Sequence, residues 1–589
     1  MAKLVFLIFN WKKTTELENL SELISVFYQG SKLDLSISGY LLLIPTLLII
    51  LNSFFGKNLF QNTVLTYTGI LLFIISFFVI LDASLYGHWG NRLDVYGAFY
   101  LNNAGEAINF IPVKVLIINS LAYLFLAFSS CIFYIKKIHP MADHHLKNWF
   151  TVPLTFLILG ALSIIPIRGG TELNPINLSN VYFSNNTFPN HAAINVVWNM
   201  AYTFSEKEKL YQTFNYLDSK NVEPYFKKLY PVETPAPKLL KNQKPNIVFI
   251  ILESFTSKLI NEKWNGIEIT PNLNRLTKEG IYFSNFYASG DRTDEGLVSI
   301  LSGYPAQPIS YIINYQNKTA KLPSVIQDLK KINYSTSFYY GGDINFANMK
   351  SYLLQAGMEN IIDKNDFPSD RFNAKWGVHD HFVFDKLLAD ITTAEAPFFK
   401  TILTLSSHPP FDTPMPTVIE GSDDNSLFAN SANYTDHALG NFITMLSQEP
   451  VWENTLVVLL ADHSIPYLDN CHVSAPQKFK VPMIWLGGAL QDSTAEITKF
   501  SSQTDLANTL LSQINQETSA FEYSKNIFSP TSKSFAFYTF NHGYGFLADS
   551  TQVIFDYSGN RFLEQVGNTF PDSVGNAYLQ KISNDFSSK

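Results

Sequence analysis

Two short stretches place metal-binding side chains directly behind apolar runs: Glu253 in "FIILES", and Asp462 with His463 in "VVLLADHS". A third, "SGDRTDEGLVSILSGYP" from Ser289 to Pro305, sets one threonine, Thr293, ahead of an apolar helical pattern beginning at Leu297. Two carboxylates and an imidazole make a donor set for a divalent cation. Hard oxygen ligands favour Mg2+ or Mn2+, and the imidazole moves the choice towards Mn2+ or Zn2+. Thr293 is a candidate fourth ligand, and through it a nucleophile: metal coordination lowers the pKa of water from about 15.7 to about 7 and activates a hydroxyl by the same route. The threonine also has a structural reading, because Ser, Thr, Asp and Asn are the preferred helix N-caps. A helix N-terminus favours negative charge and phosphate oxygens, so the two readings are compatible at one position.

Further polar residues follow other apolar runs: His408 in "TILTLSSHPPF", and Asp343, Asn345 and Asn348 in "FYYGGDINFANM". Any one of them alone could simply cap a following helix. The elements that must position them are legible. "NIVFIIL", Asn246–Leu252, is a continuous apolar run of the kind buried on both faces of a parallel sheet. Ile281–Tyr287, Ser335–Tyr340, Phe398–Leu405, Leu456–Leu460 and Pro482–Leu486 are further expected strands. Helical patterns at Pro271–Glu279, Asn348–Ala356, Tyr434–Leu446 and Asp505–Ile514 alternate with them. This predicts an α/β domain with a mainly parallel sheet, whose ligands bind beyond the carboxyl ends of the strands. Ser534 to Phe562 reads as a small antiparallel extension.

The first third of the chain is different. Leu35–Phe55, Val64–Leu81, Val115–Ile135 and Phe150–Ile167 are each long and apolar enough to cross a bilayer, which takes about 20 residues. Lys136, Lys137 and Lys147 around the third connection make it cytoplasmic by the positive-inside rule, so residues after Ile167 lie outside. "AKLVFLIFN", Ala2 to Asn10, looks like the end of a further span, which predicts that the protein's true start lies upstream. The expected organisation is a membrane domain over 1–168, a linker with amphipathic helices over 169–244, and an extracytoplasmic catalytic domain over 245–589. The net charge of −8, with no run of Lys or Arg, speaks against a nucleic-acid partner. Two cysteines, Cys131 and Cys471, exclude a disulfide framework or a Cys-based zinc site.

In these stretches the chain resembles the lipoteichoic acid synthase-like phosphoglycerol transferases of the alkaline phosphatase/sulfatase superfamily. "NIVFIILESF", "SGDRTDEGLVSILSGYPAQP", "SSHPPF", "LLADHS" and "QTDLANTLL" occur in that family's order, after a multi-helix anchor. The resemblance implies Glu253, Thr293, Asp462 and His463 around one divalent metal, Mn2+ foremost. It implies Thr293 as nucleophile, His408 at the substrate headgroup, and Asp343, Asn345 and Asn348 as headgroup contacts. It further implies a bacterial inner-membrane enzyme that moves phosphoglycerol from a phospholipid donor to a glycan or polymer acceptor through a phosphothreonine-type intermediate. Where Gram-positive-type members carry a Trp-Asn-Arg run, this chain has Phe346, Ala347 and Asn348, so an arginine for the headgroup is missing there. "RTDEG" lacks the Cys or Ser motif that sulfatases convert to formylglycine. A phosphoethanolamine transferase, a metal-dependent phosphodiesterase and a non-catalytic binding module are the alternatives.

Overall fold

A computed structural model of the chain describes residues 1–15, 17, 19–55, 59–94, 113–138, 150–210, 214–468, 471–491, 494–567 and 573–589. It divides into two compact units, Met1–Glu208 and Lys209–Lys589.

Four helices of the first unit are long and apolar enough to cross a membrane: Leu20–Leu51, Asn62–Gly87, Val113–Ile138 and Thr151–Arg168. Apolar side chains such as Leu42, Leu121 and Phe125 stand exposed on them, as lipid-facing positions require. Three connections on which the sidedness argument rests, 56–58, 95–112 and 139–149, lie outside the described residues. The helix Leu20–Phe55 has 36 residues. At 1.5 Å per residue it measures about 54 Å, against a hydrocarbon core of about 30 Å. Its excess length is polar enough to leave the bilayer, and there the unit is held by ion pairs.

The Arg92 guanidinium forks onto both oxygens of Asp82, at 2.7 to 3.1 Å, and also donates to the carbonyl of His191. It lies 4.2 Å over the ring of Phe6, on the helix Ala2–Phe9. Lys3, on that same short helix, pairs with Asp34 at 2.6 Å, and Asn195 donates to the other Asp34 oxygen. Residues 187–198, read from sequence as part of a linker, therefore pack on the membrane helices of their own unit.

In the second unit we label the strands β1 (Asn246–Leu252), β2 (Ile281–Phe283), β3 (Ser335–Tyr340), β4 (Asn360–Ile362), β5 (Phe398–Leu403), β6 (Thr455–Ala461), β7 (Met483–Leu486) and β8 (Ala495–Ile497). They form one sheet in the order β8-β2-β7-β6-β1-β5-β3-β4, parallel except for β7. Every residue of β1 and β6 is buried, which is why both read as unbroken apolar runs. A second, four-stranded antiparallel sheet follows: β9 (Phe535–Phe540), β10 (Gly543–Ala548), β11 (Thr551–Asp556) and β12 (Arg561–Val566). The extended spacer before Lys244 lies along this unit. Leu239 N–H donates to Gln513, and Gln580 clasps the backbone at Tyr216 and Leu217.

Breaking a buried ion pair by removing one partner costs about 3–5 kcal/mol, because the other charge is stranded. Arg92→Met is therefore expected to lower the unfolding midpoint of the detergent-solubilised chain and to expose 187–193 to protease. An unchanged midpoint with intact protection would mean that the pair contributes nothing.

Candidate functional site

Parallel pairing brings the ligands together. Leu252 at the end of β1 is in register with Ala461 at the end of β6, so the residues that follow, Glu253 and Asp462, leave adjacent strands at the same level. β5 and β3 lie next along that edge, and the loops after them carry His408 and Asp343.

The nitrogen Nε2 of His463 is 3.4 Å from Glu253 Oε1 and 3.6 Å from Asp462 Oδ2. Thr293 Oγ1 donates to Glu253 Oε2 at 3.2 Å and stands 3.5 Å from His463 Nε2. One ligand atom from each of Glu253, Asp462 and His463 falls within 4.8 Å of the others, and all three residues are buried. Asp462 supplies the test of whether a cation fits. Its Oδ1 accepts from the backbone N–H of Ser254 and of His463, at 2.9 and 2.7 Å. Its Oδ2 is buried with no hydrogen-bond partner. A carboxylate oxygen left dry and unbonded is costly, and a cation held jointly with Glu253 and His463 would satisfy it. The donor set suits such an ion.

Electrostatics agree. Burial, and then the Glu253 charge, push the Asp462 carboxyl above its ordinary range. Burial alone would strip the proton from His463, but the Asp462 and Glu253 carboxylates push it up to about 10. Burial also opposes ionisation of Glu253, yet the hydrogen bond and charge of His463 hold it below the usual carboxylate range. Without a cation, the cluster keeps its negative charge in check with protons.

Thr293 is the first residue of the buried helix Thr293–Ser302, which closes on Gly303 in the left-handed region (φ 59°). The capping expectation is corrected here. Arg292, not Thr293, occupies the N-cap position, and no side chain caps the helix. The threonine hydroxyl is thus left to Glu253. Gly296 lets the helix reach the ligands, since a Cβ there would lie 2.2 Å from the carbonyl oxygen of Asp462. The next two residues, Asp294 and Glu295, are buried carboxyls; burial pushes Asp294 up to about 6 and Glu295 well above its usual range.

His408 stands at the rim, half-buried, its Nδ1 2.9 Å from the carbonyl of Pro409 and its ring edge-on to Trp376. Asp343 Oδ1 accepts from the backbone and side chain of Asn345. Asn348 is buried in the left-handed region and donates to Asn314. Asp343 and Asn345 therefore order their own loop, and Asn348 ties it to Asn314.

Sequence reading missed the groups that aim the ligands. Ser254, at φ 61°, donates its N–H to Asp462 and its hydroxyl to Glu253 Oε1 at 2.7 Å. Ser407 Oγ donates to the Glu253 carbonyl, and Thr404 Oγ1 accepts from the Glu253 N–H. Tyr340, the last residue of β3, packs its ring over Gly342, where a Cβ would come within 2.8 Å of the phenol oxygen. The one available signal was position, because all four sit at or just beyond strand ends.

Fold and site together define a domain of the sulfatase and alkaline phosphatase kind. Residues 245–515 match the Sulfatase family model. Among solved structures, an alkaline phosphatase superfamily protein from Vibrio parahaemolyticus superposes with a TM-score of 0.55 at 20% identity. It covers 64% of this chain and 98% of that one. The lipoteichoic acid synthase LtaP from Listeria monocytogenes gives 0.52 at 19% identity, covering 63% and 99%. Among curated proteins, lipoteichoic acid synthase-like YvgJ of Bacillus subtilis is 26% identical over 298 residues, 46% of this chain and 48% of its own length. Lipoteichoic acid synthase 2 of the same organism is 28% identical over 258 residues, 42% and 39%. The chain thus spans less than half the length of these curated relatives.

A charged imidazole cannot ligate, so the cluster's protons must leave as a cation enters. Below about 10, where His463 carries its proton, the apparent Mn2+ association constant is expected to rise with pH. The slope should be about tenfold per pH unit for each proton displaced. Calorimetric titration of the full chain at several pH values measures this slope. A flat profile would mean that the site is already proton-free.

Proposed function

We propose that the chain is a membrane-anchored, metal-dependent phosphotransferase that moves phosphoglycerol from an anionic phospholipid to a hydroxyl of a glycan or growing polymer. The observation that carries this reading is the Thr293 hydroxyl, 3.2 Å from Glu253 Oε2 and 3.5 Å from His463 Nε2, beside the unbonded oxygen of Asp462. A curated relative named as a lipoteichoic acid synthase supports the choice of donor and acceptor. The four apolar helices support a donor that stays in the bilayer.

Glu253, Asp462, His463 and Thr293 would hold the cation, with Mn2+ the best match to two carboxylates, an imidazole and a hydroxyl. Once bound, it supplies positive charge that weakens the hold of the threonine on its proton and draws electrons from the phosphoryl oxygens. Thr293 Oγ1 attacks phosphorus, with Glu253 Oε2 the nearest acceptor for its proton. The bond from phosphorus to the diacylglycerol oxygen breaks, and His408 gives that oxygen a proton. Phosphoglycerol now rests on Thr293 as a phosphodiester. An acceptor hydroxyl then attacks phosphorus, returns a proton to His408, and the threonine leaves and regains its hydrogen. Asp343, Asn345 and Asn348 hold the headgroup. The domain faces the extracytoplasmic side, where glycan and polymer acceptors are.

The test incubates the full chain in nanodiscs with Mn2+ and either phosphatidylglycerol or phosphatidylethanolamine, followed by intact-mass measurement. Phosphatidylglycerol is expected to add one phosphoglycerol to the wild type and nothing to Thr293→Ala, whose turnover falls by about a thousandfold or more. An increment from phosphatidylethanolamine alone would reassign the donor. Turnover surviving in Thr293→Ala would end the covalent mechanism.

A further inference from the structure

Gln503 is fully buried, lies between β8 and the helix Asp505–Gln513, and contributes nothing to the metal cluster itself. Its side-chain bonds nevertheless join the two halves of the site. Both hydrogens of its amide are used, on the carbonyl oxygens of Ala461 (2.8 Å) and Asp462 (2.6 Å). Its amide oxygen accepts the backbone N–H of Ser289 at 3.0 Å. Ala461 and Asp462 are the strand end that presents two of the ligands. Ser289 opens the segment that leads, four residues on, to Thr293.

We infer that Gln503 is a positioning residue, fixing the distance between the Asp462–His463 ligand pair and the Thr293 nucleophile. The chemistry of the amide makes it the suitable side chain. It donates twice and accepts once in one rigid plane, so a shift of either segment strains a bond to the other. The carbonyl of Asp462 is also where Gly296 of the nucleophile helix makes its close approach. Two independent contacts thus locate that carbonyl, while Ser254 and His463 N–H groups locate Oδ1. With carbonyl and Oδ1 both fixed, Oδ2 has one direction left, towards His463 and Glu253. Gln503 is held in turn by its own N–H on the Tyr287 carbonyl at 3.0 Å. The neighbouring helix is pinned by the buried Asp505–Lys525 ion pair. The support is therefore rigid from sheet to site.

The turnover part of this inference rests on the proposed function; the metal-binding part does not. Gln503→Met keeps the volume and removes all three bonds. Gln503→Glu keeps the shape and the acceptor for Ser289 but turns acceptors towards both carbonyls. In the full chain, each variant is expected to weaken Mn2+ binding by about 10- to 100-fold in calorimetric titration, the usual effect of losing a group that orients a ligand. The single-turnover rate of Thr293 modification should fall by a similar factor, while KM for the lipid donor stays within about twofold. Wild-type Mn2+ affinity in a folded variant would overturn the inference. So would equal loss of affinity and of KM, or failure of both variants to fold, which would leave Gln503 an ordinary core residue. If the wild type binds Mn2+ but modifies Thr293 with no lipid, the proposed function fails while the affinity comparison still decides the role of Gln503.

Discussion

Two carboxylates forced into the same dry place are the constraint on which the site depends. The β1–β6 register delivers Glu253 and Asp462 side by side, and burial denies them water. Charges so placed repel strongly and lose their hydration, so the arrangement survives only if positive charge arrives with them. Within the chain that charge is a proton on His463. A divalent cation does the same work better, because it can also satisfy Asp462 Oδ2. What surrounds the pair follows from this need. Ser254 and His463 N–H groups bond one Asp462 oxygen, Thr293 and Ser254 hydroxyls bond Glu253, and a glycine lets a helix N-terminus approach. Each adds partial positive charge or a hydrogen-bond donor where carboxylates are crowded.

Much of this was legible in the sequence because the sheet is buried on both faces. "NIVFIIL" and "TLVVLLA" are strands with no solvent side, so they lack the alternation that would blur their limits, and the first polar residue after each marks the carboxyl edge. β1 was placed to the residue for that reason and β6 to within one residue at each end, Leu456–Leu460 against Thr455–Ala461, so the carboxylates after them stood out. Among the strands of this sheet, what escaped notice was short or half-wet. β4 and β8 have three residues each, exposed or half-exposed, and carry too few apolar side chains to stand out. Ser254, Ser407 and Gln503 escaped for another reason. Their importance lies in which backbone group they meet, and that depends on register between segments from 41 to 214 residues apart, which no local pattern encodes.

Thr293 shows how a local rule can single out a residue for a role that the structure does not give it. Capping statistics select a threonine before an apolar helical run, but the structure gives the N-cap position to Arg292 and leaves the hydroxyl uncommitted to the backbone. A capping hydroxyl would be tied to a main-chain N–H two or three residues on. This one is instead oriented by Glu253, in the cluster, and so is free to change partners. In the membrane unit the same lesson has the opposite sign. Hydropathy finds the four helices, yet it is blind to Asp82, Arg92, Lys3 and Asp34, whose pairing binds residues 187–198 to that unit.

On the proposed reading, charge balance also bears on headgroup choice. The donor brings a phosphate into a region already holding Glu253, Asp462, Asp294, Glu295 and Asp343, and the run at Phe346, Ala347 and Asn348 offers no arginine to meet it. Lys350, just beyond, is half-buried; burial pulls its ammonium below its usual range, against the charges of Asp363, Asp343 and Asp366. Neutralising the phosphate then falls to the cation, to His408 and to the helix N-terminus at Thr293. The remaining contacts, Asn345, Asn348 and the phenol of Tyr340, are neutral groups able to donate and to accept. Such a surface pairs with hydroxyls, which also do both. Asp343, the carboxylate among those contacts, already accepts two hydrogen bonds from Asn345. An ammonium can only donate to such neutral groups, whereas both hydroxyls of a glycerol headgroup can donate and accept, and on the proposed reading this is what favours phosphoglycerol over phosphoethanolamine.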